Sequence, residues 1–328
     1  MSTVGAVIIG RNEGERLRRC LVSVVGRVPF AVYVDSGSAD DSVRLARELG
    51  VDVVVLDASA PFTAARARNA GTARLLTLDP AIEFIQFIDG DCELVSGWIE
   101  RALAEFTTAP RVAVVCGRRR ERSPGASIYN TLCDIEWDSP IGDVKACGGD
   151  ALMRRAALRE VGGYTASLIA GEEPELCVRL RARGWIIRRI DGEMSVHDAA
   201  MIRFDQWWRR TQRTGYAFAQ GAAMHGRAPE RHWVHESRSI WFWGVALPLL
   251  TLATVMPTHG ASVLFLAGYP AIAVRIYRRM RRHGLLPSTA GLYALFCVAG
   301  KFPEAIGQLR FVRERLRRSP RLTVVPRA

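Results

Sequence analysis

The chain has 328 residues, 49% of them apolar, and a formal net charge of +12. That length can bury a sizeable core, and seven scattered cysteines without a CxxC pair argue against a disulfide framework or a zinc site. The charge is divided unevenly, with 25 Lys+Arg against 28 Asp+Glu in residues 1–199 and 20 against 5 in residues 200–328, so two parts with different surroundings are expected. Met1–Ile9 runs straight into a charged stretch without an h-region, which predicts no signal peptide and a cytoplasmic first part.

In chain order, Val4–Ile9 reads as a buried strand and Glu15–Val25 as a helix with Leu17, Leu21 and Val24 on one face. Ala31–Val34, Val51–Leu56, Phe84–Ile88 and Val112–Cys116 read as further strands. Helices are expected over Asp40–Leu49, Thr63–Leu78 and Trp98–Phe106. Such alternation predicts βαβ units and a largely parallel sheet, with ligands beyond the carboxyl ends of its strands. Asn12, Asp35 and Asp89-Gly90-Asp91 all fall at those ends. Residues 118–200 break the rhythm: a Gly148-Gly149 turn, helices near Ala151–Val161 and Pro174–Arg183, and a short strand at Trp185–Ile190.

Beyond residue 238 the character changes. Ile240–Met256 is seventeen residues without a charge, Pro257–Gly260 turns, and Ala261–Val274 continues uncharged. Each run lies near the lower limit of roughly 17–25 residues for a membrane span, and a two-span hairpin would return the Arg275–Arg282 cluster to the cytoplasm. The rival is a soluble helical subdomain. Leu285–Gly300 and the basic helix Lys301–Arg318 read as interfacial, with Phe302, Ile306, Leu309, Val312 and Leu316 in the headgroups. The expected organisation is a catalytic domain over 1–200, a helical linker over 201–238 and a membrane anchor over 239–328. Basic clusters flanking apolar runs favour anionic phospholipids over nucleic acid.

Asp89-Gly90-Asp91 ends a strand rich in Ile and Phe. Cleaving a nucleotide-diphosphate sugar adds charge to an already anionic leaving group, and a hard divalent cation held by carboxylates offsets it. Two aspartates one residue apart could hold such a cation, and the same tripeptide is also an ordinary turn. The first strand-to-helix turn, Gly10-Arg11-Asn12-Glu13-Gly14, lacks the GxGxxG of a dinucleotide-binding dehydrogenase.

The ordered set Val7–Glu13, Val34–Asp40, Arg66–Gly71 and Asp89–Asp91 resembles the motifs of the family-2 glycosyltransferases. Gly148-Gly149, Arg154-Arg155, Gly162–Tyr164 and Gly171–Leu176 with Arg179 extend the likeness over residues 4–200. It implies an α/β GT-A fold with a mostly parallel mixed sheet, inversion at the anomeric carbon, and Mg²⁺ or Mn²⁺ as cofactor. On that likeness Asp35 would meet the nucleotide base, with Asn12, Glu13 and Asp40 shaping the pocket. Arg68, Asn69 and Gly149 would lie near the donor. Asp91 would ligate the metal, with Asp89 beside the ribose or the sugar and also a candidate metal ligand, and His197 as a further ligand. Glu173 aligns with the catalytic base, and Glu172 is its neighbour candidate. Ser36 stands where the family often has a second aspartate, and Glu173 stands where aspartate is usual. Trp137, Gln206 and Trp207 are acceptor-side candidates, with core packing or an interfacial helix as their rivals. The expected acceptor is membrane-proximal: a lipid-linked saccharide, a polyprenyl phosphate or an envelope polysaccharide. A non-catalytic sugar-nucleotide-binding scaffold of the same fold is the alternative.

Overall fold

A computed structural model describes residues 3–318, and the chain divides into two compact units, Met1–Ile202 and Arg203–Ala328. The first unit opens with β1 (Val4–Gly10), α1 (Glu15–Val24), β2 (Phe30–Asp35), α2 (Ser42–Glu48), β3 (Asp52–Val55), α3 (Ala64–Leu78) and β4 (Phe84–Asp89). It continues with β5 (Cys92–Leu94), α4 (Trp98–Thr108), β6 (Val112–Glu121), α5 (Ile128–Glu136), β7 (Gly142–Asp143) and β8 (Ala151–Arg154). It closes with α6 (Arg155–Glu160), α7 (Glu172–Ala182) and β9 (Ile186–His197).

The strands form one sheet in the order β3-β2-β1-β4-β8-β6-β9-β5, with β7 paired to β9. β1 lies parallel between β2 and β4, and β2 is parallel to β3. Ala6, Val7 and Ile8 of β1, and Ile85, Phe87 and Ile88 of β4, are fully buried. Helices cover both faces of such a strand, and this makes its sequence a continuous apolar run rather than an alternating one. α3 seats directly on this centre. A Cβ at Gly71 would lie 2.8 Å from Val34 Cγ2 and closer still to Val7, so only glycine lets the helix approach so near.

Two expectations for residues 118–200 are corrected. Ala151–Val161 is not one helix: Ala151–Arg154 form β8, antiparallel to both β4 and β6, and only Arg155–Glu160 are helical. Ala151, Leu152 and Met153 are fully buried, and pairing on both edges overrides local helix preference. The strand expected at Trp185–Ile190 runs on to His197, held by β6 and β5. Register shifts around Arg118 mark bulges in β6, which re-aim side chains where the strand leaves the core.

The second unit is helical. It contains α8 (Phe204–His225), α9 (Val234–Trp241), a π-helical turn at Phe242–Ala246 and α10 (Leu247–Thr254). A 3₁₀ stretch at Ala261–Ala267 leads into α11 (Gly268–Arg282), followed by α12 (Pro287–Ala299) and α13 (Lys301–Arg318). Among the described residues no helix is long and apolar enough to cross a membrane. The expected two-span hairpin is not supported by these helices. Its first uncharged run is shared among α9, the π turn and α10, and its second between the 3₁₀ stretch and the start of α11. Residues 319–328, the end of the expected basic tail, lie outside the described residues.

Candidate active site

At the carboxyl ends of β1 and β2 two loops lock together. Asn12, in a left-handed backbone conformation (φ 56°), donates its backbone N–H to Ser38 Oγ (2.9 Å), and its Oδ1 accepts from Ala39 N (2.7 Å). Asp40 accepts from Gly14 N (3.1 Å) and Ser42 N (3.0 Å), tying the starts of α1 and α2 together. Asp35 is buried, Oδ1 accepts from the Tyr33 hydroxyl (3.0 Å), and Oδ2 accepts from Gly37 N (3.0 Å) and Ser38 N (2.9 Å). Its carboxylate builds the turn after β2.

The next layer gathers around Arg68. This arginine leaves the buried face of α3, is 1% exposed, and meets three carboxylates. Nη2 lies 2.7 Å from Asp89 Oδ1 and 3.0 Å from Glu173 Oε1, and Nη1 lies 2.8 Å from Glu172 Oε1. Gly149 closes the pocket: a Cβ there would sit 2.5 Å from Asp89 Oδ2. Asp150, fully buried, accepts from Asp89 N (3.0 Å) and Ser195 Oγ (2.6 Å). Arg119 reaches Asp89 Oδ2 at 3.5 Å and stacks on Trp137, 4.6 Å from the ring centre. Carboxylates outnumber the arginines here, and the surplus shows in their affinities for protons. Burial, then repulsion from Glu172, pushes Glu173 up to about 8 despite Arg68. Burial and Asp91 push Glu13 up to about 7.

The third layer is the pair Asp91 and His197. β5 runs antiparallel to β9, with Cys92 opposite His197, and this sets His197 Nε2 3.3 Å from Asp91 Oδ2. Nδ1 of the same ring faces Glu121 Oε2 at 3.3 Å. Burial opposes a charge on His197, but the hydrogen bonds to Asp91 and Glu121 prevail and hold it up to about 9. Ligand atoms of Asp91, Cys92 and His197 lie within 4.8 Å of one another. Burial keeps the Cys92 thiol well above its ordinary value, so it stays protonated and the usable donors are the carboxylate and the imidazole. One carboxylate and one imidazole, completed by phosphate oxygens, fit Mn²⁺ or Mg²⁺. A metal there would displace the His197 proton.

The structure thus brings together Asp89, Asp91, Arg68, Gly149, Glu172, Glu173 and His197, with Glu13, Asn12 and Asp40 at the rim. Asn69 is occupied as a clip, bonding Tyr164 O (2.8 Å) and Tyr164 N (2.9 Å). Asp89 pairs with Arg68 and Arg119. Trp137 lies at the site, its ring centre 4.3 Å from that of His197, with one face taken by Arg119. Gln206 and Trp207 belong to the helical unit. Gln206 Oε1 accepts from Arg203 N (2.9 Å) at the start of α8, and Trp207 is buried edge-on to Phe296 at 4.9 Å. These contacts lie within the helical unit. Sequence reasoning missed Arg119, Glu121 and Asp150. Asp150 directly follows the Gly148-Gly149 turn and was signalled by it. Arg119 and Glu121 carried no signal, because the bulges of β6 decide which residues of the polar run Gly117–Glu121 turn inward.

Residues 6–162 match the family described as Glycosyl transferase family 2. Over 238 residues it is 29% identical to the pre-mycofactocin glycosyltransferase of Mycobacterium tuberculosis (strain ATCC 25618 / H37Rv), covering 68% of this chain and 48% of that protein. Over 169 residues it is 27% identical to the O-antigen chain rhamnosyltransferase RfbN of Salmonella typhimurium, covering 47% of this chain and 52% of that protein. The chain therefore spans about half the length of these curated relatives. The mannosyltransferase PcManGT of Pyrobaculum calidifontis, solved with GDP-Man and Mn²⁺, superposes with a TM-score of 0.58 at 18% identity, covering 93% of this chain and 86% of that one. That likeness establishes the GT-A fold.

Proposed function

We propose that the chain transfers a glycosyl group, with inversion, from a nucleotide-diphosphate sugar to a hydroxyl of a membrane-proximal acceptor such as a lipid-linked saccharide. The observation that carries this reading is Glu173. It is the second residue of α7, beside Asp89 and Arg68 in the same cluster as the Asp91–His197 pair, and its carboxyl is pushed up to about 8. A carboxylate tuned close to neutral pH is suited to take a proton from an acceptor hydroxyl. The acceptor oxygen then attacks the anomeric carbon, the bond from that carbon to the phosphate oxygen breaks, and a nucleoside diphosphate leaves. Asp91 and His197 would hold Mg²⁺ or Mn²⁺, which when bound would offset charge on the leaving diphosphate. Arg68 orients Glu173, Glu172 and Asp89, and Asn12 with Ser38 shapes the rim of the donor pocket. A position on the cytoplasmic side of the cell's inner membrane is part of this proposal. A second reading, a non-catalytic nucleotide-sugar-binding protein, is favoured by one observation: Arg68 Nη2 lies 3.0 Å from Glu173 Oε1 and occupies one of the two oxygens that would take the proton.

Donor binding and slow donor hydrolysis across a panel of nucleotide sugars, with Mg²⁺, Mn²⁺ or EDTA, tests both. We expect metal-dependent hydrolysis of one donor, retained binding but at least a hundredfold loss of turnover in Glu173→Gln, and loss of metal dependence in Asp91→Ala. Binding without turnover would favour the second reading. Full activity in Glu173→Gln would move the base to Glu172.

A further inference from the structure

Between Glu236 and Glu304 the chain has no acidic residue. In this stretch the helical unit leaves large aliphatic side chains in the open: Leu249 is 59% exposed, Leu252 71%, Met256 82% and Leu264 75%. Val263 and Phe265 beside Leu264 are exposed as well. The 3₁₀ stretch that carries Val263–Phe265 feeds directly into α11. Along α11 the exposed face passes from Ala271 and Val274 to Arg275, Arg278, Arg279 and Arg282, which recur at the spacing of one helical face. These six residues line a cleft of about 510 Å³. Among the described residues none of these four arginines has a carboxylate within ion-pair distance.

We infer that the helical unit lies in the plane of one membrane leaflet, its exposed aliphatic side chains entering the acyl region while the arginine cleft of α11 takes the phosphates of anionic lipids. Isolated apolar side chains on a surface are ordinary, but a contiguous set rimmed by cations marks a docking surface. Exposed Leu, Met and Phe side chains that lead along the chain into a helix face of arginines suit an interface better than a full span. Other occupants fit worse. A second copy would bring a like-charged patch against this one. A nucleic acid would use the guanidinium groups and leave the aliphatic residues in water, since stacking on bases needs aromatic or guanidinium planes. The inference rests on the reading of a membrane-proximal acceptor and gives it a physical mode.

Flotation of the full chain tests it, with vesicles of phosphatidylcholine alone and with about a third phosphatidylglycerol replacing it. Binding at least tenfold tighter to the anionic vesicles is expected, with free inorganic phosphate failing to compete. Arg275→Gln, Arg278→Gln, Arg279→Gln and Arg282→Gln together should remove that preference. Leu264→Ser with Phe265→Ser should leave binding that about 1 M salt abolishes, while the parent protein resists salt and is released by alkaline wash. Circular-dichroism melts check each variant, and single Arg278→Gln and Arg279→Gln changes replace the quadruple variant if it does not fold. Equal binding to both vesicles, no binding to either, or retention through alkaline wash would overturn the inference. So would binding to duplex DNA or self-association in place of vesicle binding. Donor hydrolysis by the same preparation in detergent reports on the transfer chemistry independently, so the two readings fail separately.

Discussion

Arg68 shows how one residue can set the chemistry of several. A fully buried guanidinium is costly to desolvate, and here Asp89, Glu172 and Glu173 compensate for it. Truncation in Arg68→Ala would leave those carboxylates crowded without a counter-charge. That should cost about 3–5 kcal/mol and lower the melting temperature by roughly 10 °C. An unchanged melt would remove Arg68 from the centre of the site. Arg68→Lys should rescue little, because an ammonium cannot reproduce the two-pronged contact. Glu173 makes a separate prediction about pH. Its carboxyl sits at about 8 in the folded chain against an ordinary 4.5, so between those values the folded state binds a proton that the unfolded state releases. Stability should therefore fall as pH rises across that window, while kcat/KM rises through pH 8 as the base ionises. Glu173→Gln should lack that decline in stability. A pH-independent kcat/KM across the same range would remove Glu173 as the base.

At the scale of elements, what the sequence disclosed depended on how local the cause was. β1, β2 and β4 were legible because strands covered on both faces read as unbroken apolar runs, and the ligand edge followed from their parallel alternation. β8 was not legible. Ala151–Arg154 becomes a strand because β4 and β6 flank it, and its partners are sequence-distant. The same holds for the site. Asp91 and Glu173 stood out in short motifs, but the pairing of His197 with Asp91 depends on β5 meeting β9. That Arg68 points inward depends on how closely α3 can approach the sheet. Gly71, one turn after Arg68, governs that approach. Gly71→Val should force α3 away from Val7 and Val34, costing about 1–3 kcal/mol by overpacking. Turnover should drop as well, since Arg68 moves with the helix. Denaturant midpoints and single-turnover rates on the same variant check this; a loss of stability with unaltered turnover would detach Arg68 from the chemistry.

Over the whole molecule the decisive property is the separation of charge and of apolar exposure. Residues 1–199 are close to balanced, while residues 200–328 carry 20 basic side chains against 5 acidic ones. The uncharged runs were visible in the sequence, but their subdivision into α10, the 3₁₀ stretch and the head of α11 was not. Whether a run of seventeen apolar residues spans or lies flat depends on turns that composition does not encode. A chain held at an anionic surface meets an acceptor in that surface at a much higher effective concentration than one in bulk water. With a lipid-linked acceptor in vesicles containing phosphatidylglycerol, the apparent KM for that acceptor should therefore be at least tenfold lower than in phosphatidylcholine alone, at unchanged kcat. The advantage should shrink as salt approaches about 1 M, where the screening length is roughly 3 Å. A water-soluble acceptor analogue should show no such dependence on the vesicles, because it gains nothing from a shared surface. Equal KM values in the two vesicle types would mean that the basic unit does not serve acceptor capture, and the +12 charge would then need a different partner.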